Sequence, residues 1–223
     1  MKIYTFLRCI TLCLFLLALV SCTTKTKQKP PHLQKQGTAT QLIVDDKPFL
    51  ILGGEVSNTA SSSLEYMSTV WPKLKKMNFN TVLVAVAWAW VEPEEGKFDF
   101  SLVDGLLEGA RAHNLKVVFL WFGSWKNGIS SFVPAWVKAN QERFPRVQIK
   151  SGKSIEVLST LSETNLEFDT RAYTAFMRHI REVDSKKNTV IMIQLQNEVG
   201  VLGDSRDRSK SANDAFLKQF QRG

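Results

Sequence analysis

The sequence predicts an α/β fold with a parallel sheet, corresponding to the first four βα units of a (β/α)8 TIM barrel. Four apolar runs of strand length alternate with segments of helical periodicity, which is typical of βαβ units. The unusual polar and aromatic residues follow these runs directly, and (β/α)8 barrels carry their chemistry at the carboxyl ends of their strands. A doubly wound nucleotide-binding sheet would need a Gly-rich phosphate turn, which Gly53-Gly54-Glu55-Val56 does not provide.

The first 22 residues have the features of an export signal. Lys2 and Arg8 precede an apolar run over residues 10–20, which is too short to span a bilayer comfortably. Leu19-Val20-Ser21-Cys22 resembles the bacterial lipobox, in which the cysteine becomes the lipidated first residue. We therefore predict export and a lipid anchor at Cys22 in a bacterial membrane, facing the periplasm or the cell surface. The alternative is an ordinary signal peptide with an incidental cysteine.

Residues 23–41 are rich in Lys, Thr, Gln and Pro and lack apolar periodicity, so the sequence predicts a flexible tether before a domain at residues 42–223. The formal charge of +8 does not indicate nucleic-acid binding. Six of the 29 basic residues and none of the 21 acidic ones fall in residues 1–36, which leaves +2 on the rest. All three cysteines lie in the leader, so the folded part has no disulfide and no cysteine ligand for a metal.

The elements of the domain follow from the periodicity of its apolar residues. The run TVLVAVA, at residues 81–87, is β-branched or small throughout, as in a strand buried on both faces. Similar runs predict strands at residues 42–44, 49–53, 116–121 and 189–196. Helical patterns lie at residues 63–77, 101–113, 170–184 and 211–221.

Aromatic rings next to carboxylates and amides suit a sugar, because a sugar offers faces that stack on rings and hydroxyls that need polar partners. Such residues follow each predicted strand, and the candidate substrate-binding set is Glu55, Trp88, Trp90, Glu92, Trp125, Lys126 and Asn197. Core packing of the tryptophans, a turn cap at Glu92 and a solvated Lys126 are the alternatives. No two of the three histidines have metal-ligand spacing, and we expect neither metal nor cofactor.

Glu198 is the candidate catalytic residue. Cleavage of a glycosidic bond needs two carboxyl groups, one of which donates a proton to the leaving oxygen. Glu198 directly follows an apolar strand and stands beside Asn197, which can bond a sugar hydroxyl. The alternative for Glu198 is a helix N-cap or loop carboxylate.

Three segments resemble glycoside hydrolases of families 35 and 42. Residues 90–100 (WVEPEEGKFDF) and 194–200 (QLQNEVG) are similar to the second-strand and fourth-strand motifs of these (β/α)8 enzymes. Residues 120–128 (LWFGSWKNG) resemble the third-strand loop of a bacterial subgroup of family 35 β-galactosidases. The chain is accordingly identified as a family 35-like lipoprotein. The resemblance implies Glu198 as acid/base and Asn197 on the 2-hydroxyl of an oligo- or polysaccharide substrate.

The sequence departs from family 35 in two places. The family's Asn-x-His before Glu-Pro is replaced by Ala89-Trp90-Val91. The family's nucleophile follows the seventh strand, whereas only 182 residues follow the predicted tether and a whole barrel takes about 250. We therefore expect a truncated barrel whose nucleophile lies beyond the chain end. The implied activity is retaining hydrolysis of terminal β-D-galactosides. The alternatives are a non-catalytic sugar-binding lipoprotein and a β-glycosidase of other specificity.

Overall fold

A computed structural model describes residues 29–220, and its centre is a four-stranded parallel sheet. The strands of this sheet are β4 (Gly53–Glu55), β5 (Thr81–Ala87), β6 (Lys116–Lys126) and β9 (Val190–Asn197), and they adjoin one another in that order. Two small antiparallel sheets flank it, one of β1 (His32–Gln36), β2 (Ala39–Val44) and β3 (Lys47–Pro48), the other of β7 (Arg146–Gln148) and β8 (Ser154–Leu158). Sequential parallel strands joined by helices confirm the predicted α/β class.

The helices follow the strands as the sequence predicts. The long ones are α1 (Leu64–Lys76), α3 (Ser101–Ala112), α5 (Glu163–Asp184) and α6 (Lys210–Phe220), and the short ones are α2 (Trp88–Val91) and α4 (Ala135–Lys138). Ser63 caps α1 by accepting a hydrogen bond from the amide of Tyr66, and Ser162 caps α5 in the same way. These serines satisfy amides that the first turn of a helix leaves unpaired.

The sheet carries buried residues on both of its faces, although Met192 and Leu195 of β9 are exposed. Alternate residues such as Val84 and Phe119 pack under α1, α3 and α5 in the main core, while Ala85, Leu120 and Phe122 form a second cluster on the opposite face. In a (β/α)8 barrel the helix-covered face lies outside and the second face lies inside. We refer to the second face as the inner face.

The N-terminal hairpin corrects the predicted tether. Residues 32–36 pair with residues 39–43, although this segment has no apolar periodicity. Gly37, with φ +61°, allows the turn between the two strands. Asp45 then contacts Lys116 at the start of β6, and the Asn188 side chain bonds the carbonyl of Lys29. Docking of the hairpin therefore orders a polar segment whose composition indicates flexibility.

Two bounds and one hairpin also differ from the sequence prediction. The first parallel strand is residues 53–55 rather than 49–53, because Leu50 and Leu52 are exposed in an irregular segment. Helix α5 begins seven residues earlier than predicted, at Glu163, and the β7–β8 hairpin was not predicted. The predicted signal peptide and Cys22 lie outside the described residues. Within residues 29–220, no helix has the length and apolarity needed to cross a membrane.

Candidate active site

The candidate site lies at the carboxyl end of β9, where the backbone turns sharply. Gln196 and Glu198 have positive φ angles of 60° and 48°, a left-handed conformation uncommon for residues other than glycine. The amide of Gly128 donates to the Glu198 carbonyl over 3.1 Å. The side chain of Glu198 is exposed, and among residues 29–220 it has no hydrogen-bond or ion-pair partner. Its carboxylate is therefore free to meet a ligand.

Asn197 is held by a lysine from the neighbouring strand. The Nζ of Lys126 donates to Oδ1 of Asn197 over 2.8 Å, and the same ammonium lies 4.8 Å from the centre of the Phe122 ring. Lys126 is 8% exposed, so most of its side chain is removed from water. The structure brings this predicted pair together, and it leaves the Nδ2 of Asn197 available as a donor.

A row of ring contacts connects this pair to Trp90 across the inner face, and its first ring, Phe122, is fully buried. Phe122 packs against Phe132 with ring centres 5.1 Å apart, and Phe132 meets Trp90 edge to face at 6.1 Å. Trp90 is partly exposed, so it keeps ring surface for a ligand. Phe122 and Phe132 were missed from sequence, because Phe122 lies within an apolar run and Phe132 lies in a loop without a polar neighbour of obvious function.

Trp88 and Glu92 do not belong to the ligand-accessible surface. Both are 0% exposed. The indole of Trp88 donates to Glu92 over 2.8 Å, and the same carboxylate accepts from the Gly96 amide and from Arg171. All of these groups belong to the protein, so the prediction that Trp88 and Glu92 contact the substrate is corrected to a supporting role beneath the second βα loop.

Trp125 is buried, and Glu55 belongs to the first strand of the parallel sheet. Trp125 is 5% exposed and packs against Val147 and Val157 of the β7–β8 hairpin, which leaves it no ring face for a sugar. Glu55 is exposed, but it pairs in register with Leu83, about 13 Å before the carboxyl end of β5. The predicted substrate contact of Trp125 is therefore corrected, and that of Glu55 stays a prediction.

A buried carboxylate on α5 was missed from sequence. Asp169 is 8% exposed, accepts from the amide of Ser124 over 3.0 Å, and also accepts from the side chain of Gln196. The Oε1 of Gln196 accepts in turn from the Trp125 amide over 3.0 Å. Asp169 lies in a helix that shows only its amphipathic period in sequence, so nothing local marks it.

The described residues contain no group of three or more His, Cys, Asp or Glu side chains placed to hold a metal ion. The chemistry available here is that of an exposed carboxylate, an anchored amide and the partly exposed indole of Trp90. These groups suit a neutral polyhydroxyl ligand.

A match to a family model gives the family of the chain. Residues 60–222 match the family model of glycoside hydrolase family 42, described as β-galactosidase. An exo-β-D-glucosaminidase of Pyrococcus horikoshii is 28% identical over 174 residues, which are 70% of this chain and 22% of the relative. A β-galactosidase of Xanthomonas manihotis is 25% identical over 186 residues, which are 80% and 28% of the two chains. The chain thus spans about a quarter of the length of these relatives.

Solved structures show the same fold. The β-galactosidase of the psychrophilic Marinomonas ef1 superposes with a TM-score of 0.61 at 15% identity, covering 78% of this chain and 25% of that one. A catalytic mutant of Gan42B, a family 42 β-galactosidase from G. stearothermophilus, gives 0.60 at 19% identity, with 77% and 24% covered. These comparisons support family 42, and the expected assignment to family 35 finds no support in them. The chain belongs to glycoside hydrolase family 42.

Proposed function

We propose that the protein is a glycosidase that hydrolyses terminal β-D-galactosides of oligo- or polysaccharides with retention, using Glu198 as general acid/base. The observation that carries the proposal is the exposed carboxylate of Glu198 at the carboxyl end of β9, the edge where barrels of this fold place their catalytic groups. Family membership and a relative named as a β-galactosidase support the sugar.

In this mechanism Glu198 protonates the glycosidic oxygen as the bond to the leaving group breaks, while a second carboxylate attacks the anomeric carbon. Glu198 then removes a proton from the water that releases the sugar. We assign the second carboxylate to the part of the enzyme that residues 29–220 do not cover. No metal or organic cofactor enters these steps.

Asn197 and Trp90 orient the sugar. Lys126 occupies Oδ1 of Asn197, so the amide presents its Nδ2 donor to a hydroxyl on the ring. Trp90 offers a partly exposed indole further along the inner face, where the apolar face of a sugar ring can stack.

A second candidate substrate is a β-D-glucosaminide. The relative from Pyrococcus horikoshii is named as an exo-β-D-glucosaminidase, and it aligns with 70% of this chain. This substrate carries an ammonium at the 2-position of the ring, which is the position that Asn197 is expected to contact. The charge of Lys126 lies 2.8 Å from Asn197 and would repel that ammonium, so we favour the neutral galactoside.

The test compares two pairs of substrates on the full-length gene product. The rates on nitrophenyl β-D-galactoside and nitrophenyl β-D-glucosaminide show which sugar the enzyme prefers, and we expect the galactoside to be hydrolysed faster. The rates on methyl and dinitrophenyl β-D-galactoside show whether a general acid acts, because a methoxide leaving group needs a proton whereas dinitrophenolate leaves without one. Glu198→Gln should lower kcat/KM for the methyl glycoside by about 100-fold or more, with a much smaller loss for the dinitrophenyl glycoside.

Glu182→Gln is the matched control, since Glu182 is an exposed glutamate on α5. A Glu198→Gln variant that loses the same fraction of activity on both galactosides would contradict the acid role. A folded protein that binds galactosides and hydrolyses none of them would favour the sugar-binding alternative.

We further propose that the protein is exported and lipid-anchored at Cys22, on the strength of Leu19-Val20-Ser21-Cys22 after a charged and apolar leader. Expression in a bacterial host with radiolabelled fatty acid should label the protein and place it in the membrane fraction. Cys22→Ser should abolish the label. Export of an unlabelled protein by the parent sequence would indicate an ordinary signal peptide.

A further inference from the structure

We propose that Asp169 of α5 is a positioning residue, which fixes the backbone of residues 196–198 and so aims the carboxylate of Glu198. The inference rests on the proposed role of Glu198 as acid/base. Asp169 itself touches no part of the proposed substrate surface and acts through Gln196.

The carboxylate of Asp169 joins three donors from two strands. The indole Nε1 of Trp121 donates to Oδ1 over 3.2 Å, and the amide of Ser124 donates to Oδ2 over 3.0 Å. The side chain of Gln196 also donates to Oδ2. Asp169 has no ion-pair partner among residues 29–220, so its buried carboxylate, held by three donors, joins the ends of β6 and β9 through hydrogen bonds alone.

Gln196 connects Asp169 to the backbone that carries Glu198. Its amide bridges Asp169 and the Trp125 backbone, which sets its side chain while its own φ is +60°. Left-handed conformations at residues other than glycine persist only where their surroundings determine them. Glu198 follows two residues later with φ +48°, so the direction of its side chain depends on the same anchor.

The backbone at Gly123 packs closely against the side chains of Asp169, Trp121 and Gln196. A Cβ added at Gly123 would lie 2.4 Å from Oδ1 of Asp169, 2.6 Å from the Trp121 indole nitrogen and 2.8 Å from the Gln196 amide nitrogen. The backbone of β6 therefore approaches the three side chains as closely as a glycine allows. The side chains of Asp169 and Gln196 are therefore packed directly against the backbone of β6.

The same helix offers a matched control. Asp184 is 4% exposed, and its Oδ2 accepts from the amide of Val190 over 2.7 Å at the opposite end of β9. Asp169→Asn and Asp184→Asn thus each neutralise a buried carboxylate that joins α5 to β9. Only Asp169 stands at the end that carries Glu198.

The experiment measures kcat/KM of the full-length gene product for methyl and dinitrophenyl β-D-galactoside. Misplacing a catalytic group by about 1 Å costs on the order of 100-fold. We expect Asp169→Asn to lower the methyl-to-dinitrophenyl ratio by between about 10- and 100-fold, and Gln196→Met to lower it in the same direction. The ratio is independent of the fraction of folded enzyme, so instability alone does not move it. Asp184→Asn should leave the ratio unchanged.

An equal loss on both substrates in Asp169→Asn, or the same fall in ratio in Asp184→Asn, would overturn the inference. If the parent enzyme hydrolyses neither galactoside, or Glu198→Gln leaves the ratio unchanged, the proposed function fails instead. In that case hydrogen exchange still tests whether Asp169 fixes the backbone of residues 196–198. Amides of residues 194–200 should exchange faster in Asp169→Asn than in Asp184→Asn, and equal exchange rates would refute it.

Discussion

The buried pair of Glu92 and Arg171 gives a stability prediction that does not depend on the activity. Glu92 is 0% exposed, whereas the side chain of Arg171 is 38% exposed. Glu92→Ala would leave the buried indole of Trp88 without an acceptor and Arg171 without its counter-charge. Removing one partner of a buried ion pair costs about 3–5 kcal/mol. We place this change near 3 kcal/mol, because water can rehydrate the guanidinium and the exposed amide of Gly96.

A loss of about 3 kcal/mol corresponds to a fall in Tm of about 6–12 °C for a domain of this size. The assay is thermal and urea unfolding of the full-length gene product, followed by tryptophan fluorescence, since Trp88 lies at the site of the change. Arg171→Met should cost at least as much as Glu92→Ala, because it leaves the charge of the fully buried Glu92 uncompensated, with only the neutral donors of Trp88 and Gly96. The double variant should lose less than the two single losses combined.

The control is Glu95→Ala. Glu95 lies on the same loop as Glu92, and the change breaks its bidentate pair with Arg143. Both side chains of that pair are 40% exposed, so solvent replaces most of the interaction. A fall in Tm for Glu92→Ala no larger than that for Glu95→Ala would refute the claim that burial makes the Glu92 carboxylate structurally important.

Three further predictions concern other elements. Ser63→Ala should destabilise the protein by about 1 kcal/mol in urea unfolding, because the amide of Tyr66 loses its cap, whereas Ser63→Asp should not. Hydrogen bonding to Arg208 holds the pKa of Asp204 well below its usual range. The stability lost in Asp204→Asn should therefore be constant from pH 7 to about pH 5 and shrink as the pH falls through about 4. A stability loss that grows in acid would contradict a lowered pKa. Lys126→Met should lower kcat/KM for β-galactosides by about tenfold or more, while Lys138→Met, which removes a surface lysine of α4, should not.

Strands β5 and β6 were predictable because they are buried on both faces and are therefore apolar over most of their length. Residues 81–87 match β5 at both ends. The hairpin over residues 32–44 was not predictable, because its strands are polar and exposed in part and are held by backbone pairing and by contacts at Asp45 and Asn188. Such contacts depend on residues more than 70 positions away in the chain.

The position of Asn197 and Glu198 at the end of a strand was predictable, because the apolar run stops just before them, whereas their roles with a substrate stay predictions. Of the side chains after β5, Trp88 and Glu92 were assigned wrongly, since the chain enters a helical turn at Trp88. Residues four apart share a face of a helix, so Trp88 and Glu92 turn together into the core and Trp90 turns to the inner face. Sequence position after a strand does not reveal this rotation.

The docked N-terminal hairpin determines how the enzyme would present itself on a membrane. Lys116, which holds the hairpin through Asp45, begins β6, and Lys126 at the other end of that strand contacts Asn197. The strand between them is about 33 Å long. A lipid at Cys22, as proposed, would fasten the molecule from the end where the strands begin. Glu198 would then point outward, so that long glycans approach from solution without passing between the enzyme and the lipid surface.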